Sequence, residues 1–148
     1  MKLSVTSWSF PQCNLNESTG LSNLLGINAI DLGYFYRSAL DKNILLEDYK
    51  KIINEINKYD INYANLYHLF GNSLEDRNLA DINNLEDNKK DLSIVTDFCV
   101  EANIPSIFIL PGVVNPGQSR NDALKNSIES VNKLNEITSK KNIQLLID

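Results

Sequence analysis

The sequence predicts an α/β protein built on a parallel sheet, with about five strands and four helices. Short apolar, β-rich runs alternate with stretches whose apolar residues recur every three or four positions, the order expected of parallel strands joined by right-handed crossovers. No Gly-x-Gly-x-x-Gly or Walker sequence follows any strand, so an open doubly wound sheet with a nucleotide site has no support. The other architecture made from this alternation is the eight-fold βα barrel, which needs roughly 250 residues. A chain of 148 residues holds about half of its units.

Bulk properties narrow the class further. One domain with a real core is expected from 148 residues of which 43% are hydrophobic. Fourteen Lys and Arg against nineteen Asp and Glu give a net charge of −5, and no basic run alternates with aromatics, so nucleic acid is not an expected partner. Cys13 and Cys99 lack metal or redox spacing and read as reduced thiols. Met1 to Val5 runs straight into a strand pattern and no long apolar segment occurs, so neither export nor membrane insertion is expected and the cytoplasm is the expected compartment.

In order, Leu3 to Trp8 reads as the first strand, closed by Pro11 in Ser9-Phe10-Pro11. A short helix is expected from about Thr19 to Leu25, stopped by Gly26, and Ile27 to Leu32 is the second strand. After a polar and aromatic loop, Tyr49, Ile52, Ile53 and Ile56 mark the apolar face of a helix that covers the sheet. The stretch Asp60 to Gly71 holds the third strand, a short apolar one that ends at His68, the sole histidine, and delivers it to a glycine-punctuated loop. Leu92, Val95, Phe98, Cys99 and Ala102 stripe the next helix, which ends before Pro105. Ser106 to Leu110 is a continuous apolar run of the kind buried on both faces. Ser119-Arg120-Asn121-Asp122 has the form of a capping box, and Leu124, Ile128, Val131, Leu134 and Thr138 mark one face of the fourth helix. Gln144 to Ile147 is the fifth strand, followed by Asp148.

Ligands bind at the carboxyl ends of parallel strands. The groups expected there are Trp8 and Phe10, Asp31, His68, Leu110-Pro111-Gly112 and Asp148. An indole beside carboxylates and an imidazole suits a polyhydroxylated ligand, the ring packing on C–H faces while polar groups take the hydroxyls. Each candidate has a second reading: His68 as a solvated loop residue, Asp31 as an acceptor of loop amides, Trp8 as a plug of a barrel interior.

The pattern Ser7-Trp8-Ser9-Phe10, Ala29-Ile30-Asp31-Leu32-Gly33, Asn65-Leu66-Tyr67-His68, Ile109-Leu110-Pro111-Gly112 and Leu145-Leu146-Ile147-Asp148 resembles the first half of the xylose isomerase-like TIM barrels. That superfamily holds sugar and sugar-phosphate isomerases and epimerases, inosose dehydratases and type IV apurinic endonucleases. The resemblance implies an incomplete (β/α) barrel over residues 1–148, lacking strands six to eight. It also implies a sugar or cyclitol substrate and a divalent metal (Mn, Mg, Zn or Co) assisting proton transfer beside a carbonyl. His68 matches a histidine that faces substrate or metal, Asp31 stands where many members have a glutamate, and Asp148 matches a glutamate that is metal ligand and acid/base carboxylate. Trp8 and Phe10 take substrate-contact positions. The endonuclease branch expects a zinc-ligating histidine where this chain has apolar Leu110, which cannot ligate zinc. The sugar branch is therefore preferred over an endonuclease relative. The reading from another class is a non-catalytic half-barrel, because the remaining ligands of the family come from strands six to eight.

A half-barrel exposes strand five and an apolar interior face, and both favour association. The purified 148-residue chain is expected to sediment as a species larger than a monomer at micromolar concentration; a stable, well-folded monomer would contradict this.

Overall fold

Five strands pair side by side, all parallel and in chain order: β1 (Val5–Thr6), β2 (Ala29–Leu32), β3 (Asn62–Tyr67), β4 (Ser106–Ile109) and β5 (Gln144–Ile147). The computed structural model describes residues 3–34 and 40–147. Four helices fill the crossovers: α1 (Leu15–Leu24), α2 (Lys42–Ile56), α3 (Leu85–Glu101) and α4 (Arg120–Ser139). Consecutive parallel strands with right-handed crossovers put every helix on the same side of the sheet. The opposite, concave side carries no helix among the described residues.

Helix limits follow from local chemistry. α1 starts four residues earlier than its apolar spacing suggests, because Asn14 and Glu17 form a reciprocal capping box at 3.0 and 2.9 Å. Gly26 ends that turn at φ +72°, as expected. Asp41 caps α2 by accepting from Asn43 and Ile44, and α2 is broken at Asp48, whose φ of −155° is extended. α3 ends at Asn103, which takes φ +56° just before Ile104-Pro105. Ser119 caps α4 as its sequence predicts, accepting from the Asp122 amide at 3.1 Å.

Two expectations are corrected. The first strand is only Val5–Thr6, since Ser7–Ser9 turns into a 3-10 helix in which the Thr6 hydroxyl accepts from the Trp8 amide. On α4 only the first half of the stripe is displaced: Leu124 is 61% exposed and Ile128 54%, whereas Leu134 and Thr138 are buried and Val131 packs on the core as expected, joined by Ala123 and Ser130. The reason is polar anchoring. Asn126 donates to the carbonyl of Ala80 and Ser130 to that of Leu79, so the helix turns its small and polar residues toward the loop before α3.

The core lies between sheet and helices, where Ile30, Leu32, Leu66, Ile107 and Ile109 meet Ile52 and Ile56 of α2, Leu92, Val95 and Phe98 of α3, and Leu134 of α4. Burying side chains of this size stabilises by about 1.5–3 kcal/mol each. A bulge sets which residues reach that core. Ile30 pairs with Tyr63 but Asp31 pairs with Asn65, so Ala64 is the extra residue on β3. Tyr63 and Leu66, three apart, therefore both face the helices, and the Tyr63 hydroxyl donates to the Ile56 carbonyl at 2.9 Å. Asn65 and Tyr67 turn to the concave side.

Two loops at the carboxyl ends are docked on each other. Asn78 donates to the Glu75 carbonyl and to Asn115, and accepts from the Ala80 amide, while Gln118 donates to the Ala80 carbonyl. Gly112, at φ +104°, makes the fit close: a Cβ there would lie 2.8 Å from the Ala80 nitrogen. Gly112→Ala is expected to lower stability by at least about 2 kcal/mol, combining backbone strain with that overlap. Urea unfolding of the two proteins, compared at equal slope, checks it.

Candidate active site

Along the concave face the strand register builds two rungs. Thr6, Asp31 and Asn65 are level, and Ser106 pairs with Gln144 beside them. This polar rung is closed on itself: Asp31 accepts from Ser4 at 3.0 Å through one oxygen and from Asn65 at 2.9 Å through the other, and Ser106 bonds Asn65 in turn. One step nearer the carboxyl ends stand Tyr67, Phe108 and Leu146, with Trp8 delivered by the turn after β1. The rings of Trp8 and Tyr67 are 4.3 Å apart, and those of Tyr67 and Phe108 are 4.8 Å apart with planes only 14° from parallel. An aromatic floor thus runs from β1 to β4.

Gly33 makes that floor possible. A Cβ at this position would fall 2.6 Å from the Trp8 indole nitrogen, so only glycine lets the indole lie across the end of β2 and reach Tyr67. Phe10 caps the same turn and is half-buried.

Trp8, Asp31 and His68 do not share one rim, contrary to expectation. Asp31 sits a rung below the aromatics with both oxygens engaged. His68 is only 2% exposed and points to the helix side, because it shares a face with Leu66 two residues earlier. Its ring meets Phe70 edge-on at 4.6 Å and Tyr34 at 5.8 Å, and Nδ1 lies 3.4 Å from the Tyr34 hydroxyl. Burial, helped by the Lys42 and Arg77 cations, pushes its pKa down to about 3. At neutral pH the imidazole is uncharged. Asp148 lies outside the described residues.

The charged groups near His68 belong to the loop scaffold. Lys42 donates to the carbonyls of Leu69 and Gly71, and burial lowers its pKa. Arg77, at φ +55°, pairs with Asp91 at 2.8 Å and with Asn88 at 3.1 Å. Cys99 is buried in the core and burial raises its thiol pKa, as its place on the α3 stripe suggested. Among the described residues no three His, Cys, Asp or Glu side chains gather where a metal could be held, so residues 3–34 and 40–147 do not by themselves fit a divalent cation. Tyr67 and Phe108 escaped the sequence reading, although period-two alternation from Asn65 and Ser106 places them on the concave face.

No family model matches the sequence, and no curated protein matches it. Solved structures do. A D-tagatose 3-epimerase-like protein superposes with a TM-score of 0.72 at 15% identity, over 99% of this chain and 52% of its own. The IolI protein, solved with a zinc atom, gives 0.72 at 15% over 99% and 51%. A D-psicose 3-epimerase from Clostridium cellulolyticum, solved with D-tagatose, gives 0.72 at 14% over 98% and 51%. The fold is that of half a (β/α) barrel of TIM type. The chain spans about half the length of the structures it matches. No helix among the described residues is long and apolar enough to cross a membrane.

The buried neutral histidine has a consequence for stability. Its folded pKa lies below the value near 6.5 of an unfolded chain, so its contribution is fully present above about pH 6.5 and is lost as the pH falls toward 3. Between pH 7 and 5 the stability difference between the wild type and His68→Phe is expected to shrink with falling pH, by up to about 1.4 kcal/mol per unit below 6.5. Denaturant titrations at several pH values measure it, and parallel curves would disprove it.

Proposed function

We propose that this chain is part of a sugar or cyclitol isomerase or epimerase and that it supplies the floor on which the substrate rests. The aromatic floor at the carboxyl ends of β1, β3 and β4 carries the reading. Stacked rings offer a flat apolar surface to the C–H face of a polyol, while hydroxyls of such a ligand remain free for polar groups above. The epimerases among the structural neighbours support the same class of substrate.

Reaction at a carbon beside a carbonyl needs a base on one face and stabilisation of the oxygen as charge develops. In the described residues the polar rung below the floor is spent on itself, and His68 is sealed on the far side of the sheet. The reacting groups therefore come from elsewhere: Asp148, matched by the resemblance to an acid/base and metal-ligating carboxylate, and the βα units that the matched structures carry beyond the shared half. The zinc in one neighbour supports a divalent metal in the complete enzyme.

A second reading, a non-catalytic half-barrel that only binds or pairs, is favoured by the lack of a metal-holding cluster among the described residues. Deuterium incorporation from D₂O into D-tagatose, D-fructose and inosose, followed by NMR, separates the two. The 148-residue chain alone is expected to give no exchange above buffer. Joined to a complementary carboxyl-terminal half it is expected to exchange a substrate C–H proton, with Trp8→Ala lowering the rate about tenfold or more through lost positioning. Exchange by the isolated chain would relocate the reacting groups to residues 1–148, and no exchange by any completed protein would leave the binding role alone.

A further inference from the structure

The loops after β3 and β4 line a small, partly open cavity, about 20 Å³ in volume and bounded by His68, Phe70, Leu74, Asn78, Leu110 and Gly112. Within it His68 is 2% exposed, and its Nε2 is buried with no hydrogen-bond partner among the described residues. The ring meets Phe70 and Tyr34 edge-on, and the His68 amide donates to the Phe108 carbonyl at 2.8 Å.

We propose that this cavity is a binding site for one internal water molecule, held by His68 Nε2 and by main-chain groups of the two loops. Size selects the occupant. A single water needs about 10–15 Å³ of such volume, whereas small-molecule sites run to roughly 300 Å³ or more. A cation is excluded by chemistry, since no second or third ligating side chain joins His68 there. Asn78, the other polar side chain on the wall, has its amide hydrogens on Glu75 and Asn115 and its oxygen on Ala80, which leaves the imidazole as the open group. An unmet buried polar atom costs more than an immobilised water does, so filling the site is favourable.

The tautomer follows. With Nε2 donating its proton to the water, Nδ1 is the ring's acceptor, and the Tyr34 hydroxyl 3.4 Å away is then its donor. The low pKa of His68 agrees with a ring that stays neutral. Through the water the histidine fastens the loop of residues 71–81 to that of residues 110–113, whatever substrate lies on the opposite face.

A high-resolution crystal structure of the chain is expected to contain one ordered water within hydrogen-bond distance of Nε2, and long-range ¹H–¹⁵N spectra at neutral pH the Nε2-protonated tautomer. Amides of residues 71–81 and of Leu110, Gly112 and Val113 are expected to exchange about tenfold faster in His68→Leu, the effect of one lost fastening, and to be largely protected again in His68→Gln. A dry cavity, Nε2 bonded directly to a protein atom, the Nδ1-protonated tautomer, or unchanged exchange in a folded His68→Leu would each overturn the proposal. If His68→Leu does not fold, the crystal structure and the spectra of the wild type decide.

Discussion

Side-chain alternation along the strands of a one-sided parallel sheet governs this molecule. With every crossover on the same face, each strand residue belongs either to the helix-covered core or to the concave surface, and no third environment exists. Ile30, Leu32, Leu66, Ile107 and Ile109 take the first, while Asp31, Asn65, Ser106, Tyr67 and Phe108 take the second. The single extra residue at Ala64 keeps the two sets aligned across β2 and β3. Without it Tyr63, with its bond to the Ile56 carbonyl, and Leu66 could not both serve the core.

The same alternation explains a division of chemical labour. Polar residues on the concave face satisfy one another, so the lower rung is a self-contained hydrogen-bonded layer that supports the aromatic rings above. On the other side, charged and amide side chains are engaged in loop architecture. Lys42 holds the turn after β3, Arg77 holds α3, and Asn78 holds the turn after β4. Rigid loops over a rigid sheet suit a site whose contribution is placement of a ligand.

Much of this was legible in the chain, and the failures have identifiable physical causes. Strong helical periodicity at Tyr49, Ile52, Ile53 and Ile56, and at Leu92, Val95 and Phe98, located α2 and α3, and the continuous apolar run located β4. α1 was placed late because its first turn is set by the Asn14 and Glu17 cap and not by apolar residues. On α4 the inward places of Val131, Leu134 and Thr138 follow the periodicity, and only Leu124 and Ile128 depart from it, because hydrogen bonds from Asn126 and Ser130 hold the first half of the helix against the loop before α3. Of the candidate site, the position of Trp8 was readable from the end of its strand. The direction of His68 is readable too, since Leu66 two residues before it is a core residue. The glycine at 33 could be read only as a turn signal, because its partner in space is twenty-five positions away in sequence.

That pairing of Gly33 with Trp8 has a meaning for how the surface can change over time. The space above the end of β2 is shared between two positions, and the sum of their side-chain volumes is what the fold constrains. Growth at 33 must be matched by shrinkage at 8, so the two sites are expected to substitute together, and a descendant that exchanged a large side chain at one for a large side chain at the other would keep the sheet while reshaping the floor. The contour of the concave surface is in this sense a two-residue property, open to revision by compensated steps that leave the hydrophobic core untouched.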